Sequence, residues 1–296
     1  MLERSWAIIV HGGAKTINAA FHQRNRDGCL AAAHAGAALL REGGSALAAA
    51  QAAVRVLEDD PLFNAGFGSV LNSESEVEMD AAIMNGADLG VGAVAAVRRI
   101  RNPVTLAATV LPSKEVLLAG EGAERFAVTH GIALCDAREM IAPERLASEY
   151  TKAHDTVGCV ALDIHRHIAA ATSTGGLPHK HPGRIGDSPI PGSGLYADDR
   201  LGGVAFSGDG ESILRTMLAA HVMQALIASP ADVAAQKSMT QLHRVGGEAG
   251  AIVIDAAGRF GIAHNSDHFA LAVHRSSWSE GKSAIHRNEL EMCLDE

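Results

Sequence analysis

The sequence predicts an α+β protein built as a four-layer αββα sandwich, two facing sheets with helices outside both. Three observations point there. Runs rich in β-branched and small residues cluster on both sides of one polar connector, amphipathic pairs flank those runs, and no alternating βαβ series appears.

Trp6 to Val10 is an apolar run closed by His11, Gly12 and Gly13, a strand followed by a turn. Asp27 caps a helix whose Leu30, Ala33, His34 and Ala37 share a face, and Gly43 with Gly44 stops it. Ser45 caps a second helix, with Leu47, Ala50, Val54 and Leu57 on one side, until Asp59, Asp60 and Pro61 end it. A glycine-rich loop from Asn64 (NAGFGSVLNSE) leads into a hairpin, Val77 to Met84 and Leu89 to Val97, turning at Asn85 and Gly86. Asn102 and Pro103 open a short helix, and Gly120 to His130 makes another. Between Ile132 and Asp155 periodicity fades into a connector with at most one short helix.

At Thr156 the character changes. TVGCVALD and, after a polar turn, IAAATST from Ile168 read as two adjacent core strands. Gly175 to Asp199 is punctuated by Gly and Pro but too apolar and varied for a linker, which marks a structured functional loop. Val204 to Ser207 is a strand, and GDGE opens one helix with Ile213, Leu214, Met217, Leu218 and His221 at helical spacing. A helix from Ser229 and a last hairpin, AIVIDAAGRFGIAH, complete the order.

Composition narrows the function. With 296 residues, 47% apolar and 20% charged, the chain reads as a single globular domain over 1–296. The net charge of −9 and a lone basic concentration at Arg98, Arg99 and Arg101 argue against a nucleic-acid partner. No uncharged apolar stretch nears the roughly 18 residues of a membrane span, and the opening residues carry no signal pattern, so a cytoplasmic protein with no membrane partner is expected. Cys29, Cys135, Cys159 and Cys293 are scattered without a CxxC pair and read as reduced thiols. The pairs His165/His167 and His179/His181 lack further ligands at a usual spacing, so neither reads as a metal site. GxGxxG, GxxxxGK[ST] and GxSxG are all missing; no organic cofactor is expected, nor a nucleophile-elbow serine.

The chemistry centres on Thr156. A threonine hydroxyl needs a neighbouring base, and a chain cut just before it would turn its own α-amine, with a pKa of roughly 8, into that base. HDTVGCVALD offers a polar connector ending at Asp155 and a core strand starting at Thr156. TSTGG, PGRIGDSP and SGDGE each combine glycine-permitted backbone approach with a hydroxyl or charge. Arg184 and Asp187 in the Gly-flanked turn form either a carboxylate fork with an ammonium acceptor, as an α-amino acid head group requires, or a mutual surface salt bridge.

With these motifs the sequence resembles the plant-type L-asparaginase and isoaspartyl peptidase group of N-terminal nucleophile hydrolases, related to glycosylasparaginases. IIVHGGA, DPLFNAGFGSVLN, MDAAIMNG, HDTVGCVALD, ATSTGG, PGRIGDSPIPGSGLYAD and SGDGES carry the likeness over nearly the whole chain. The resemblance implies an αββα precursor that cuts itself between Asp155 and Thr156 into an α subunit, 1–155, and a β subunit, 156–296. Thr156 would be the nucleophile and Thr174 its orienting partner, with Ser207 and the Gly208 N–H as the oxyanion hole. Arg184, Asp187 and Gly210 would hold the substrate's α-carboxylate and α-ammonium, with Ile185, Gly186, Asp209 and Asn64 in the same substrate-binding set. The carbonyls of Leu57, Glu58, Asp60, Phe63, Ala65 and Phe67 would surround a structural sodium ion. Asparagine and β-aspartyl dipeptides are the implied substrates and a homodimer of αβ units the implied assembly. Glycosylasparaginase, or an uncut inactive binder of aspartate-like ligands, are the alternatives. Two departures stand out: Ser207 replaces the family's usual threonine, and the connector is shorter than the family's long flexible linker.

Overall fold

A computed structural model describes residues 5–143, 156–286 and 288–289. Its larger sheet has eight strands. In chain order these are β1 (Ala7–Lys15), β2 (Met79–Asn85), β3 (Gly90–Val97), β4 (Leu117–Ala119), β5 (Val157–Leu162), β6 (Ile168–Thr174), β11 (His268–Arg275) and β12 (Lys282–Ala284). They lie side by side as β12-β11-β1-β5-β6-β2-β3-β4, antiparallel except for the parallel pair β3/β4. The second sheet, of four strands, runs β10-β9-β8-β7 from β7 (Leu195–Asp198), β8 (Gly202–Gly208), β9 (Ala249–Asp255) and β10 (Phe260–His264).

Alternation along single strands separates the layers, because successive side chains leave a strand on opposite faces. In β1, Ile8 and Val10 point to the outer core while Ala7 and Ile9 point between the sheets. In β5, Cys159 and Ala161 face outward and Val160 and Leu162 inward. Against the outer face lie α1 (His22–Arg41), α2 (Ala46–Asp59) and α3 (Pro103–Val110), whose buried Ala33, Ala37, Ala50, Ala53 and Ala107 let helix and sheet approach closely. The four-stranded sheet sends Val204 and Phe206 the other way, onto Val222 and Ala234 of α6 (Leu218–Leu226) and α7 (Ala231–Met239). Helix, sheet, sheet, helix is the result, as the sequence predicts. Among the described residues, no helix is long and apolar enough to cross a membrane.

Several expectations need correction. β1 does not stop at His11: it continues to Lys15 across an irregularity between His11 and Gly13. A Cβ at Gly12 would stand 2.3 Å from the Phe63 ring, so this glycine serves close packing and not a turn. The first helix starts at His22, not near Asp27, after a 3₁₀ turn capped by the Asn18 side chain. The helix after GDGE is two, α5 (Gly210–Thr216) and α6, broken where Met217 adopts φ +50°. The last hairpin, β9/β10, is not the end: β11 returns to the larger sheet beside β1. In the connector a 3₁₀ turn spans Ala137–Met140, following α4 (Gly120–Thr129). Residues 144–155, with Asp155, lie outside the described residues, as does Cys293.

Candidate active site

Strand geometry alone brings the motifs together. β5 and β6 pair with Val157 opposite Ser173, which sets Thr156 at the head of one strand beside Thr174 at the foot of the next. β8, from the facing sheet, ends at the same edge with Ser207 and Gly208, and α5 starts two residues later. The loop between β6 and β7 folds back over this edge. Together they close a small cleft of about 10 Å³ lined by Thr156, Thr174, Arg184, Asp187, Ser188 and Gly208, with Gly176, Gly186 and Gly210 among its other walls.

Thr156 is buried and held at both ends. Its N–H donates to Ser207 Oγ at 3.1 Å, and its Oγ1 shares a hydrogen bond with Ser188 Oγ at 2.9 Å. Ser207 Oγ also accepts the Ala14 N–H at 3.1 Å, so one fully buried hydroxyl oxygen takes two backbone donors and keeps its own hydrogen to give. Thr174 Oγ1 accepts the Gly176 N–H at 3.0 Å. Gly208 is at φ +142°, where a Cβ would stand 2.2 Å from the Glu248 carbonyl oxygen; glycine is required.

Of the two sequence-based alternatives for the charged pair, the mutual salt bridge is not what forms. Arg184 does not bridge to Asp187: its Nε and Nη2 donate to Glu211 at 2.8 and 2.6 Å. Glu211 is half exposed while Arg184 is mostly covered, a rim contact with little desolvation behind it. Asp187 is buried, and burial pushes its carboxyl up to about 7, against the opposing pull of the Arg184 charge. A Cβ on Gly210 would lie 2.9 Å from both Arg184 Nη2 and Asp187 Oδ1, so its absence lets both side chains reach the cleft.

The remaining members of the implied substrate-binding set stand apart. Ile185 is half-buried outside the cleft. Asn64 is fully buried and shapes the Gly176 turn, donating from Nδ2 to the Gly176 carbonyl at 2.7 Å and accepting the Val70 N–H at 2.9 Å. Asp209 accepts the Ser212 hydroxyl at 2.9 Å at the start of α5. It lines a second cavity, about 750 Å³, walled also by Ala14, Lys15, Thr16 and Glu248, which has Leu177 and Gly208 as lining residues in common with the first.

Sequence reasoning missed three residues here. Ser188 was visible within GDSP, but only the fold aims its hydroxyl at Thr156. Lys15 follows an apparent turn that is really strand. His11 is fully buried, its ring against the Thr156 backbone with neither nitrogen in a well-formed hydrogen bond; burial lowers its pKa to about 3, so it is neutral.

Of the implied sodium loop, Leu57, Glu58, Phe63 and Ala65 are buried. A Cβ on Gly66 would fall 2.5 Å from the Glu58 carbonyl oxygen, and one on Gly68 2.0 and 3.0 Å from those of Phe63 and Asp60. Three of the six carbonyls therefore crowd around two glycines.

Comparison with known proteins agrees with this architecture. A family model described as asparaginase matches residues 4–153 and 138–281. The chain is 44% identical over 279 residues to an isoaspartyl peptidase/L-asparaginase of Bos taurus, covering 88% of this chain and 90% of the relative. To the human protein of that name the identity is 41% over 271 residues, covering 85% and 87%. An isoaspartyl peptidase of Salmonella typhimurium is 39% identical over 289 residues, covering 88% and 92%. With its sandwich fold, its motifs in order and these relatives along nearly its full length, the chain belongs to the asparaginase family of N-terminal nucleophile hydrolases.

Proposed function

We propose that the protein hydrolyses the β-amide of L-asparagine and of β-aspartyl dipeptides through a covalent aspartyl-threonine ester, after cutting itself between Asp155 and Thr156. The observation that carries this is one cleft edge holding both atoms of Thr156 that the chemistry needs, with Arg184 and Asp187 on the same walls. In maturation, Thr156 Oγ1 attacks the carbonyl before it, its proton passes to the departing nitrogen, and water hydrolyses the resulting ester to leave a free α-amine. In turnover that amine takes the hydroxyl proton as Oγ1 attacks the substrate's β-carbonyl. The Ser207 hydroxyl and the Gly208 N–H receive the oxyanion, the leaving amine is protonated, and water releases aspartate. Thr174 fixes the turn beside the nucleophile.

The head-group assignment supplies a pH dependence. Asp187 must be ionised to accept an α-ammonium, and its raised pKa of about 7 means that the free protein is protonated there below neutrality. Acid therefore removes the acceptor and alkali restores it. The ratio of wild-type to Asp187→Asn kcat/KM should grow as pH rises from about 5.5 to 8, because only the wild type gains a charge in that window. A ratio constant with pH means that Asp187 does not titrate there.

The cavity beyond Leu177 and Gly208 accommodates the leaving group. At about 750 Å³ it is far larger than ammonia needs, and Lys15 on its wall complements the carboxylate of a departing amino acid. Incubated with β-aspartyl-leucine, asparagine and a glycosylated asparagine, the purified protein should release product fastest from the dipeptide. Fastest turnover of the glycosylated substrate favours a glycosylasparaginase, and binding without turnover favours the uncut binder.

The carbonyl cradle at Gly66 and Gly68 fits a hard cation. Leu57, Glu58, Asp60, Phe63, Ala65 and Phe67 would hold sodium through their backbone oxygens, and the ion would fix the loop that positions Asn64. We further assign one domain that becomes two interlocked subunits, paired as a dimer of αβ units, in a reducing, cytoplasmic setting suited to the buried thiols of Cys29 and Cys159. Burial pushes the Cys29 thiol up to about 12, which keeps it unreactive.

A further inference from the structure

Far from each other in sequence, His22 near the start of α1, His268 at the head of β11 and His286 after β12 meet at one half-buried spot. One ring nitrogen from each lies within 4.8 Å of the other two. Their ring centroids form a nearly equilateral triangle, 4.9 Å from His22 to each of the others and 5.0 Å between His268 and His286, and the planes cross at 58 to 70°. Three imidazoles bound at about 2.0–2.1 Å to one tetrahedral ion would hold their centroids about 5 Å apart. Neither HxH pair gathers such a set among the described residues.

We propose that this trio is a binding site for a divalent transition metal of the zinc type, with water in the fourth position. His22 is already arranged as a ligand: its Nε2 faces the Ile17 carbonyl at 3.0 Å, so the Nε2–H tautomer leaves Nδ1 with a lone pair. A ligating histidine usually donates its other N–H to just such a carbonyl. The cost falls on His268, whose Nδ1 accepts the Ile17 N–H at 3.1 Å; ligating the metal requires that contact to be released.

Location gives the site a role. His22 belongs to the fragment before the proposed cut and His268 and His286 to the fragment after it, so the ion would tie the two together. It would also fix His22 against the Ile17 carbonyl, two residues from Lys15 on the wall of the larger cavity.

The test uses the full chain, stripped with a chelator and titrated calorimetrically with Zn²⁺ and optically with Co²⁺. One equivalent should bind with a dissociation constant on the order of micromolar or tighter, Co²⁺ giving a tetrahedral absorption spectrum and Zn²⁺ raising Tm. The combined His22→Gln, His268→Gln, His286→Gln variant should lose all three signals while still releasing aspartate from β-aspartyl-leucine. If it does not fold, His286→Gln alone, near the end of the chain, should weaken binding at least tenfold. Absence of stoichiometric binding below millimolar metal overturns the proposal, as does unchanged affinity in the variants.

Discussion

Thr156→Ala is expected to leave one uncut chain and to lower hydrolysis of β-aspartyl dipeptides by roughly 10⁴-fold or more, the scale on which enzymes lose rate when a covalent nucleophile is removed. Two losses coincide. Without Oγ1 nothing attacks the preceding carbonyl, so the α-amine is never freed, and nothing attacks substrate either. The fold should survive, because Val157 to Leu162 hold β5 between β1 and β6 without help from residue 156. What the change removes in the resting chain is the one hydrogen bond that Oγ1 shares with Ser188 Oγ, at 2.9 Å. Thr156→Ser keeps the hydroxyl and should cut and turn over, more slowly, since the methyl that narrows χ1 is gone. Denaturing electrophoresis with intact-mass measurement follows the cut. A wild-type chain that stays whole on prolonged incubation removes the maturation step, and an active, uncut protein removes Thr156 as nucleophile.

The second large effect is expected at Ser207. Ser207→Ala should lower kcat by roughly 10² to 10³ with little change in KM, because an oxyanion donor strengthens only as charge develops on the carbonyl oxygen. The fold adds a consequence that no oxyanion assignment contains by itself. Ser207 Oγ accepts the N–H of both Ala14 and Thr156, and alanine leaves both donors buried without a partner, about 1–3 kcal/mol for each. After the cut, the group on Thr156 is the amine itself, so the same substitution should also shift the pH at which kcat rises. Steady-state kinetics on already cleaved protein separates the effects: an oxyanion role lowers the plateau, and a role in holding the amine moves the midpoint. Ser207→Thr should keep activity. Full activity in the alanine variant would place the donors elsewhere.

Much of this was legible because each motif pairs a chemical group with the backbone conformation it needs. SGDG joins a hydroxyl to glycines at positions that admit no Cβ, and the αββα layering follows from alternation in β1, β5 and β8. Other features were not legible, for physical reasons that differ. The run of β1 through His11, Gly12 and Gly13 reads as a turn because glycines usually end strands; the Phe63 ring pressing on Gly12 and the φ of +121° at Gly13, where the register shifts, explain them instead. Met217 at φ +50° carries no local signal, since a long side chain seldom adopts that conformation. β4 is too short for any periodicity. β11 does alternate, with Phe269, Leu271 and Val273 facing the inner core, but its partner β1 is at the opposite end of the chain. Likewise Arg184 and Asp187 are close in sequence, whereas the partner Arg184 holds, Glu211, lies on another element, the first turn of α5.

The order of strands in the larger sheet bears on what would become of the molecule after the proposed cut. β1 lies between β11 and β5, so a strand from before Thr156 is enclosed by two from after it, and β6 in turn borders β2. The uncut chain can reach this arrangement as one polymer, closing loops within itself. A cut molecule that has been unfolded must instead recover it as two polymers, through a bimolecular encounter whose yield depends on concentration and which competes with aggregation of exposed strand edges. Under the proposed cut, folding would therefore have to come first, and the persistence of the cut form would depend on how slowly its interleaved strands come apart.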